Sequence, residues 1–384
     1  MKNIRLGIIG LGNIGKHHAD YLLKGKISRC RLTAVCSVNP AELALYPTVE
    51  QFTDAELMIH SGLVDAVIIA TPHFQHATLG IEAMRAGIHA MVEKPIAAHK
   101  ADAERLAAVH RQNPDVVFAG MFQLRTEPRY LKMQSIINTG ELGDITRVNW
   151  INTDWYRPEA YYASGGWRGT WKGEGGGVLL NQCLHNLDTL QWLCGMPSSV
   201  RGFCQLGRFH HIDVEDSVTA YFEWASGATG VFIGSTGEAP GTNRFEITGT
   251  RGKLVLEHGK ILFTRNEQDM VEYGRIATKG FSQPENTKID VPFENATLPH
   301  ATMVQNFVDA ILDGDPLIAP GEAGINSVEL ANVIVYSSLI GGTVKLPMDG
   351  NVWERKLNQL IAASTVEKVV ATVAADDFAS SFRK

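Results

Sequence analysis

The first residues in this chain able to do chemistry are three glycines. In Gly10-Leu11-Gly12-Asn13-Ile14-Gly15 the first permits a tight turn and the second lets the backbone approach a pyrophosphate. The third lets a following helix pack closely with its N-terminal N–H groups facing the anion. The motif alone is weak and also describes a glycine-rich turn with no ligand. Its surroundings favour a dinucleotide: the apolar, β-branched run Ile4 to Ile9 leads into it, Lys16 to Lys24 reads as helix, and a second strand arrives at Leu32 to Val38. A carboxylate about 20 residues beyond such glycines normally holds the adenosine ribose hydroxyls, yet the tip of the second strand reads Cys36-Ser37-Val38-Asn39 and has no acid. Ser37 tolerates a 2′-phosphate better than aspartate would, but no Arg or Lys follows to bind one. The expected cofactor is NAD or NADP, with the choice open.

A second set of candidates lies on a helical run from Val178 to Cys194, which stops at Gly195 with Pro197 just beyond. Leu180, Leu184, Leu187 and Cys194 form its apolar stripe. Asn181, His185, Asp188 and Trp192 follow one another at +4, +3 and +4 along a different line. A solvated face would carry Lys and Glu, whereas this one carries an amide, an imidazole, a carboxylate and an indole, all suited to directional contact. Asp188, one turn from His185, is placed to orient its ring or raise its pKa. The alternative is a histidine satisfied within a core.

The elements that must position these residues begin with alternation. A helix from about Asp54, a buried strand Ala66 to Ala70, a helix Gln75 to Ala86, a strand Ile88 to Val92 and a helix Lys100 to His110 predict a parallel, doubly wound sheet over residues 1–124. Ligands of such sheets sit at the carboxyl ends of the strands. That gathers Gly10 to Gly15, Ser37, Thr71-Pro72-His73, His76 and Glu93-Lys94-Pro95 around one crevice as expected cofactor contacts. Lys94 stands there as a site candidate and not simply as a solvated charge, while Thr71 and Pro72 supply shape more than chemistry.

From Phe118 onward the alternation is lost, and residues 125–384 form the expected second domain. Four of the seven tryptophans fall within the 22 residues 150–171, among Trp150, Trp155, Tyr156, Tyr161, Tyr162, Trp167 and Trp171. Such a cluster suits a ligand with apolar faces and polar edges, such as a sugar ring, and equally a large core or subunit interface. Trp155, Tyr156 and Trp167 are the expected platform; Arg157 and Arg168 beside them suit substrate hydroxyls or an acid group, or interface ion pairs. Segments Ser217 to Glu223, Thr229 to Ile233, Phe245 to Thr248 and Lys253 to Glu257 read as strands, and Ala301 to Leu312 and Glu322 to Leu339 as helices. Residues 365–384 carry no clear pattern.

Gly10 to Gly15, then Glu93-Lys94-Pro95, then Gly175-Gly176-Gly177 followed by Asn181 and His185, resemble in order the three signatures of the Gfo/Idh/MocA oxidoreductases, over roughly residues 1–360. The resemblance implies an N-terminal Rossmann domain and a C-terminal α/β domain on a large, mostly antiparallel open-faced sheet, assembled as a homodimer or homotetramer. It implies that Lys94 hydrogen-bonds the reacting hydroxyl and that His185 takes its proton as hydride passes to nicotinamide. Oxidising a secondary alcohol does require a base of near-neutral pKa and a cation beside the developing alkoxide. Where the family often has Asp, this chain has Asn181, an amide that positions substrate or Lys94 and carries no charge. Lys94, Asn181 and His185 are thus the expected catalytic set and, with Trp155, Tyr156, Arg157, Trp167 and Arg168, the expected contacts of a sugar, sugar derivative or cyclitol. Rival functions are a glycoside-cleaving enzyme of the same fold that recycles its hydride, and a sugar or nucleotide sensor without chemistry.

Composition excludes other classes. Thirty-five basic against 41 acidic residues give a net charge of −6 with no basic block, so nucleic acid is not expected as a partner. No stretch approaches the roughly 18 consecutive apolar residues of a membrane helix, so no membrane partner is expected. The apolar N-terminal run is broken by glycines and reads as structure, not a secretion signal. The five cysteines are odd in number and lack a C-x-x-C pair, which fits a reducing cytoplasm. Adjacent His17 and His18, on a helix, point about 100° apart, and His210 and His211 are adjacent in a strand, so no metal is expected.

Overall fold

Leucine, isoleucine and valine runs without polar alternation belong in strands covered on both faces, and the first 120 residues supply them. The computed structural model describes residues 3–294, 298–368 and 370–371. Strands β1 (Ile4–Ile9), β2 (Cys30–Cys36), β3 (Glu50–Phe52), β4 (Ala66–Ile69), β5 (His89–Val92) and β6 (Phe118–Gly120) pair in parallel in the order β3-β2-β1-β4-β5-β6. Their connections are α1 (Asn13–Leu23), α2 (Pro40–Leu43), α3 (Ala55–Ile59), α4 (His73–Arg85) and α5 (Lys100–Gln112). This is the doubly wound Rossmann sheet, and its strand order reverses between β1 and β4, which opens a crevice at their carboxyl ends. The short α2 and β3 lay outside the sequence reading. Asn39 starts α2 by accepting from the Ala41 N–H at 3.0 Å, with Pro40 at the first helical position.

The second half adds α6 (Pro128–Asn138), β7 (Ile145–Asn152), α7 (Glu159–Ala163), α8 (Trp171–Glu174), α9 (Leu184–Cys194), β8 (Ser199–Leu206), β9 (Glu215–Glu223), β10 (Thr229–Ser235), β11 (Asn243–Gly249), β12 (Gly252–Glu257), β13 (Lys260–Asn266), α10 (Met270–Ile276), β14 (Asn286–Val291), α11 (Pro299–Asp313), α12 (Gly324–Ile340), β15 (Val344–Lys345) and α13 (Gly350–Ala363). Its strands form a nine-stranded sheet ordered β14-β13-β12-β11-β7-β10-β9-β8-β15, in which β7 and β10 run parallel and the other described pairings are antiparallel. Along β9, Val218, Ala220 and Phe222 are buried while Thr219, Tyr221 and Glu223 are exposed. One face therefore meets helices and the other is open, as antiparallel sheets allow.

The two halves share their cores. Met303, Val304, Phe307 and Val308 of α11 belong to the same apolar cluster as Leu6, Ile8, Ile68 and Val92 of the first sheet. Across the seam, the buried Lys100 at the start of α5 donates to Glu329 of α12 at 2.9 Å and to the Met348 carbonyl at 2.7 Å. Gly321–Ile340 is, by length and composition, apolar enough to cross a membrane. It is instead a core helix with its 3-10 lead-in, burying Ser327, Glu329 and Asn332 among apolar neighbours.

One correction concerns the helix expected from Val178, which begins only at Leu184. The buried Glu215 carboxylate accepts the N–H groups of Gly177 at 2.9 Å and Leu179 at 3.1 Å. These contacts hold residues 177–183 in turns, and Asn181 leaves the helical line.

Lys100→Met strands the Glu329 carboxylate in the interior and is expected to cost about 3–5 kcal/mol, read as a fall in the urea midpoint. Adding Glu329→Met should recover most of that loss. An unchanged midpoint in the single variant would show that the pair is not a seam constraint.

Candidate active site

Each glycine of the turn has a spatial reason. Gly10 has φ +98°, and a Cβ there would lie 2.6 Å from the Ala70 carbonyl oxygen; one on Gly15 would lie 1.9 Å from the Gly10 oxygen. A Cβ on Gly12 would meet nothing within 4 Å, so it would project into the open crevice. Gly12 caps α1 without a side chain, no acid stands in the first turn, Asn13 is exposed and Ile14 half-buried. The N-terminal N–H groups of α1, together with Thr71 Oγ1, buried just beyond β4 without a partner among the described residues, fit a dinucleotide pyrophosphate. Pro72 caps the adjacent α4.

Around Lys94 the two halves converge. Its half-buried ammonium donates to the Asn181 carbonyl at 3.0 Å. Burial lowers its pKa, Glu93 and Glu174 oppose that, and Arg168 and Arg157 add to it. His185, on the first turn of α9, is 8% exposed; burial, then the Lys94 charge, push its pKa well below 6.5, so the ring is neutral. Its Nε2 lies 3.1 Å from the Gln123 side-chain amide, and its Nδ1 meets no partner among the described residues. The Gln123 side-chain nitrogen is the atom that faces Nε2; reversing that amide, which interchanges its oxygen and nitrogen, lets Nε2–H donate and leaves Nδ1 a lone pair.

Other expected residues are spoken for. Asp188 does not orient His185: Arg125 grips its carboxylate at 2.8 and 2.7 Å, both side chains buried, which anchors α9 to the 3-10 turn Gln123–Thr126. Glu93 also has partners within the protein. His18 lies 2.7 Å from one of its oxygens and the Lys94 N–H donates to the other. Burial raises the Glu93 pKa, but the His18 hydrogen bond and charge outweigh it and hold the carboxyl at about 2. Both His76 nitrogens lie 2.6 Å from carbonyl oxygens, of Pro95 and Thr71, bracing the Lys94 loop against β4. His73 Nδ1 donates to the Glu174 carbonyl at 3.0 Å, and burial pushes its pKa well below 6.5. Ser37 Oγ donates to Glu42 at 2.8 Å.

Glu174 is the residue that motif reading passed over. Only 1% exposed, it accepts from the Asn181 side-chain amide and from the Gly169 N–H, and burial raises its pKa. The carboxylate missing at Asn181 is thus supplied one contact away. An acid set among Gly173, Gly175, Gly176 and Gly177 was its signal in the sequence.

The aromatic stretch divides. Trp150 stacks on Phe245 at 3.9 Å and Trp171 abuts Trp353; with Tyr162 they are core. Trp155, Tyr161 and Trp167 are half-buried, and Tyr156 is exposed, its carbonyl accepting from Arg157. Arg168 lies 4.5 Å from both the Trp167 and Tyr161 rings and donates to the Tyr161 hydroxyl. Arg157 lies over Trp155 and Tyr161 at 5.4 and 5.1 Å. Among the described residues neither guanidinium meets a carboxylate at salt-bridge distance. His99, Asp102 and Glu354 gather at α5 with ligand atoms within 4.8 Å of one another, but Arg105 already pairs with both acids.

Residues 4–121 match the oxidoreductase family with NAD-binding Rossmann fold, and residues 130–255 match the Gfo/Idh/MocA C-terminal domain. The chain belongs to the Gfo/Idh/MocA family. This Gfo/Idh/MocA oxidoreductase is 26% identical over 352 residues to an inositol 2-dehydrogenase of Rhizobium meliloti, covering 87% of this chain and 96% of that one. It is 24% identical over 347 residues to a 1,5-anhydro-D-fructose reductase of Ensifer adhaerens, covering 89% and 98%. Among solved structures, the WlbA dehydrogenase of Bordetella pertussis, in complex with NADH and UDP-GlcNAcA, superposes with a TM-score of 0.76 at 26% identity, covering 91% of this chain and all of that one. The enzyme is an NAD(P)-dependent dehydrogenase or reductase.

Gly12→Val should abolish NADH binding in a fluorescence titration without loss of fold, because its side chain fills the cradle; unchanged titration would remove the assignment. Acid stability follows from the buried groups. His73 and His185 sit below 6.5 and His300 is lowered to about 3, chiefly by burial, so the unfolded chain gains protons first and stability falls below pH 6.5. Glu215, raised to about 7 by burial, works in the opposite direction between pH 7 and about 4.5. Below that, Glu93 at about 2 adds a loss of the same sign as the histidines. With three histidines against one glutamate, the denaturant midpoint should fall below pH 6.5 and fall more steeply below 4.5, where Glu215 no longer opposes and Glu93 adds to the loss; a midpoint that rose on acidification from pH 6.5 to 4.5 would contradict this division.

Proposed function

We propose that the enzyme oxidises a secondary hydroxyl of a sugar, sugar derivative or cyclitol, or reduces the corresponding ketone, with Lys94 holding the reacting oxygen and His185 moving its proton. The observation that carries this is the pairing, at the carboxyl-end crevice, of a lysine ammonium with a neutral, unpartnered histidine nitrogen. When bound, the nicotinamide accepts or donates the hydride. Lys94 spends one of three donors on Asn181 and keeps two for the substrate oxygen, where its charge stabilises an alkoxide. His185 accepts the hydroxyl proton at Nδ1 once the Gln123 amide is reversed, and burial, then the Lys94 charge, keeps the base form populated below pH 6.5. Glu174 holds Asn181, and through it Lys94, while Arg125 and Asp188 fix α9. The relatives named for inositol and anhydrofructose, and the WlbA complex with a nucleotide sugar, support this substrate class.

Arg157 and Arg168 favour a substrate bearing an anionic group. Two ring-stacked guanidinium groups beside Lys94, neither at salt-bridge distance from a carboxylate among the described residues, offer bidentate sites for a carboxylate or phosphate.

The test is nicotinamide absorbance with NAD or NADP and a panel of neutral cyclitols, aldoses and sugar acids, with Lys94→Ala as the blank. Reduced cofactor should appear with a sugar-acid substrate, and His185→Ala should cut kcat by about two to four orders of magnitude with NADH affinity unchanged. The acid limb of kcat/KM should lie below pH 6.5. A full rate in His185→Ala would remove it from the mechanism. Substrate cleavage without stoichiometric cofactor would replace net oxidation by hydride recycling.

A further inference from the structure

The tip of β2 lacks an acid in sequence but not in space. The Gly10 N–H donates to the Cys36 carbonyl at 2.9 Å, so the end of β2 is fastened to the glycine turn. Asn39 and Pro40 then reverse the chain into α2, and the third residue of that helix, Glu42, returns its carboxylate to the strand tip. One Glu42 oxygen accepts from Ser37 Oγ at 2.8 Å and the other from Lys16 Nζ at 3.1 Å. Lys16 directly follows Gly15 on the first turn of α1. The carboxylate is therefore held between the strand tip and the helix whose N-terminus faces the pyrophosphate, with about a quarter of its side chain exposed (23%).

We propose that Glu42 is the carboxylate that accepts the adenosine ribose hydroxyls, and that it makes this enzyme select NAD(H) over NADP(H). Hydroxyls at that place donate to a carboxylate, whereas a 2′-phosphate brings two negative charges against it. The groups that would welcome a phosphate are engaged. The Ser37 hydroxyl already donates to Glu42, the Lys16 ammonium is already paired with it, and Val38, 90% exposed at the strand tip, offers no charge. Selectivity here comes from a residue 27 positions beyond Gly15, delivered by a helix turn and not by the strand end itself.

Titrating the purified protein with NADH and NADPH, followed by nicotinamide fluorescence and calorimetry, tests this without turnover. NADH should bind at least about tenfold more tightly, the scale of a hydrogen bond to a charged group. Glu42→Gln should weaken NADH and tighten NADPH, since it removes the repulsion and frees Lys16, bringing the two affinities within about threefold. Ser37→Ala should shift the ratio in the same direction by less, and circular dichroism should show both variants folded. Equal or tighter NADPH binding by the wild type, or a ratio unmoved by Glu42→Gln, would overturn the assignment.

Discussion

A lysine ammonium drawn partly out of water must be held by polar groups, and Lys94 is held from both halves of the molecule. Below it, its own N–H is fixed by Glu93, which rests on the fully buried His18. Opposite it, the Asn181 carbonyl takes one ammonium proton, and the Asn181 side chain in turn rests on Glu174, which is fastened to Gly169. The Rossmann half thus supplies the cation and its carboxylate support, and the second half supplies a carbonyl with a carboxylate behind it. Neither half alone completes the environment, which gives the shared apolar core and the buried Lys100–Glu329 pair a purpose beyond stability. They hold the seam to the tolerance that a hydrogen bond requires.

The same burial sets the protonation states. A histidine in water titrates near neutrality, but His185 is desolvated and faces the Lys94 charge, and both effects favour the neutral ring. A carboxylate close to its ring would work against them. Asp188, one helical turn away, is neutralised by Arg125 in a bidentate clamp, so its charge is spent on anchoring α9. An aspartate in place of Asn181 would add a second carboxylate beside Glu174, and two such acids in contact resist joint ionisation. The amide avoids that conflict while transmitting the position of Glu174.

Much of the fold was legible because it rests on period and punctuation. Buried strands such as Ala66–Ile69, flanked by helices and turns, announce a parallel sheet, and the glycine spacing announces its ligand. What escaped depends on long-range contacts. The helix expected from Val178 is cut short by Glu215, 38 residues beyond Gly177. The acid of the β2 tip comes from α2, too short to show a helical period. The glycine-embedded Glu174 looked like part of a turn, because nothing in its neighbours reveals that Asn181 lies against it. The polar line on α9 was real as chemistry but wrong as a relay, since the partner of Asp188 sits 63 residues away at Arg125.

Residue type could not separate groups that act from groups that hold, because both are histidines, acids and lysines in one crevice. Hydrogen-bond capacity separates them. Glu93, His76, Asp188 and Glu215 have their polar atoms consumed inside the protein. Lys94 keeps two donors, and His185 Nδ1 and Thr71 Oγ1 meet nothing within the described residues. Arg157 and Arg168 lie among aromatic rings, with no carboxylate at salt-bridge distance among the described residues, although the Arg168 charge reaches Glu174. Buried polar groups left unsatisfied are expensive in a folded chain. For His185 Nδ1 and Thr71 Oγ1 that cost is offset if each gains its partner from cofactor or substrate, so that the free energy withheld during folding is released on binding.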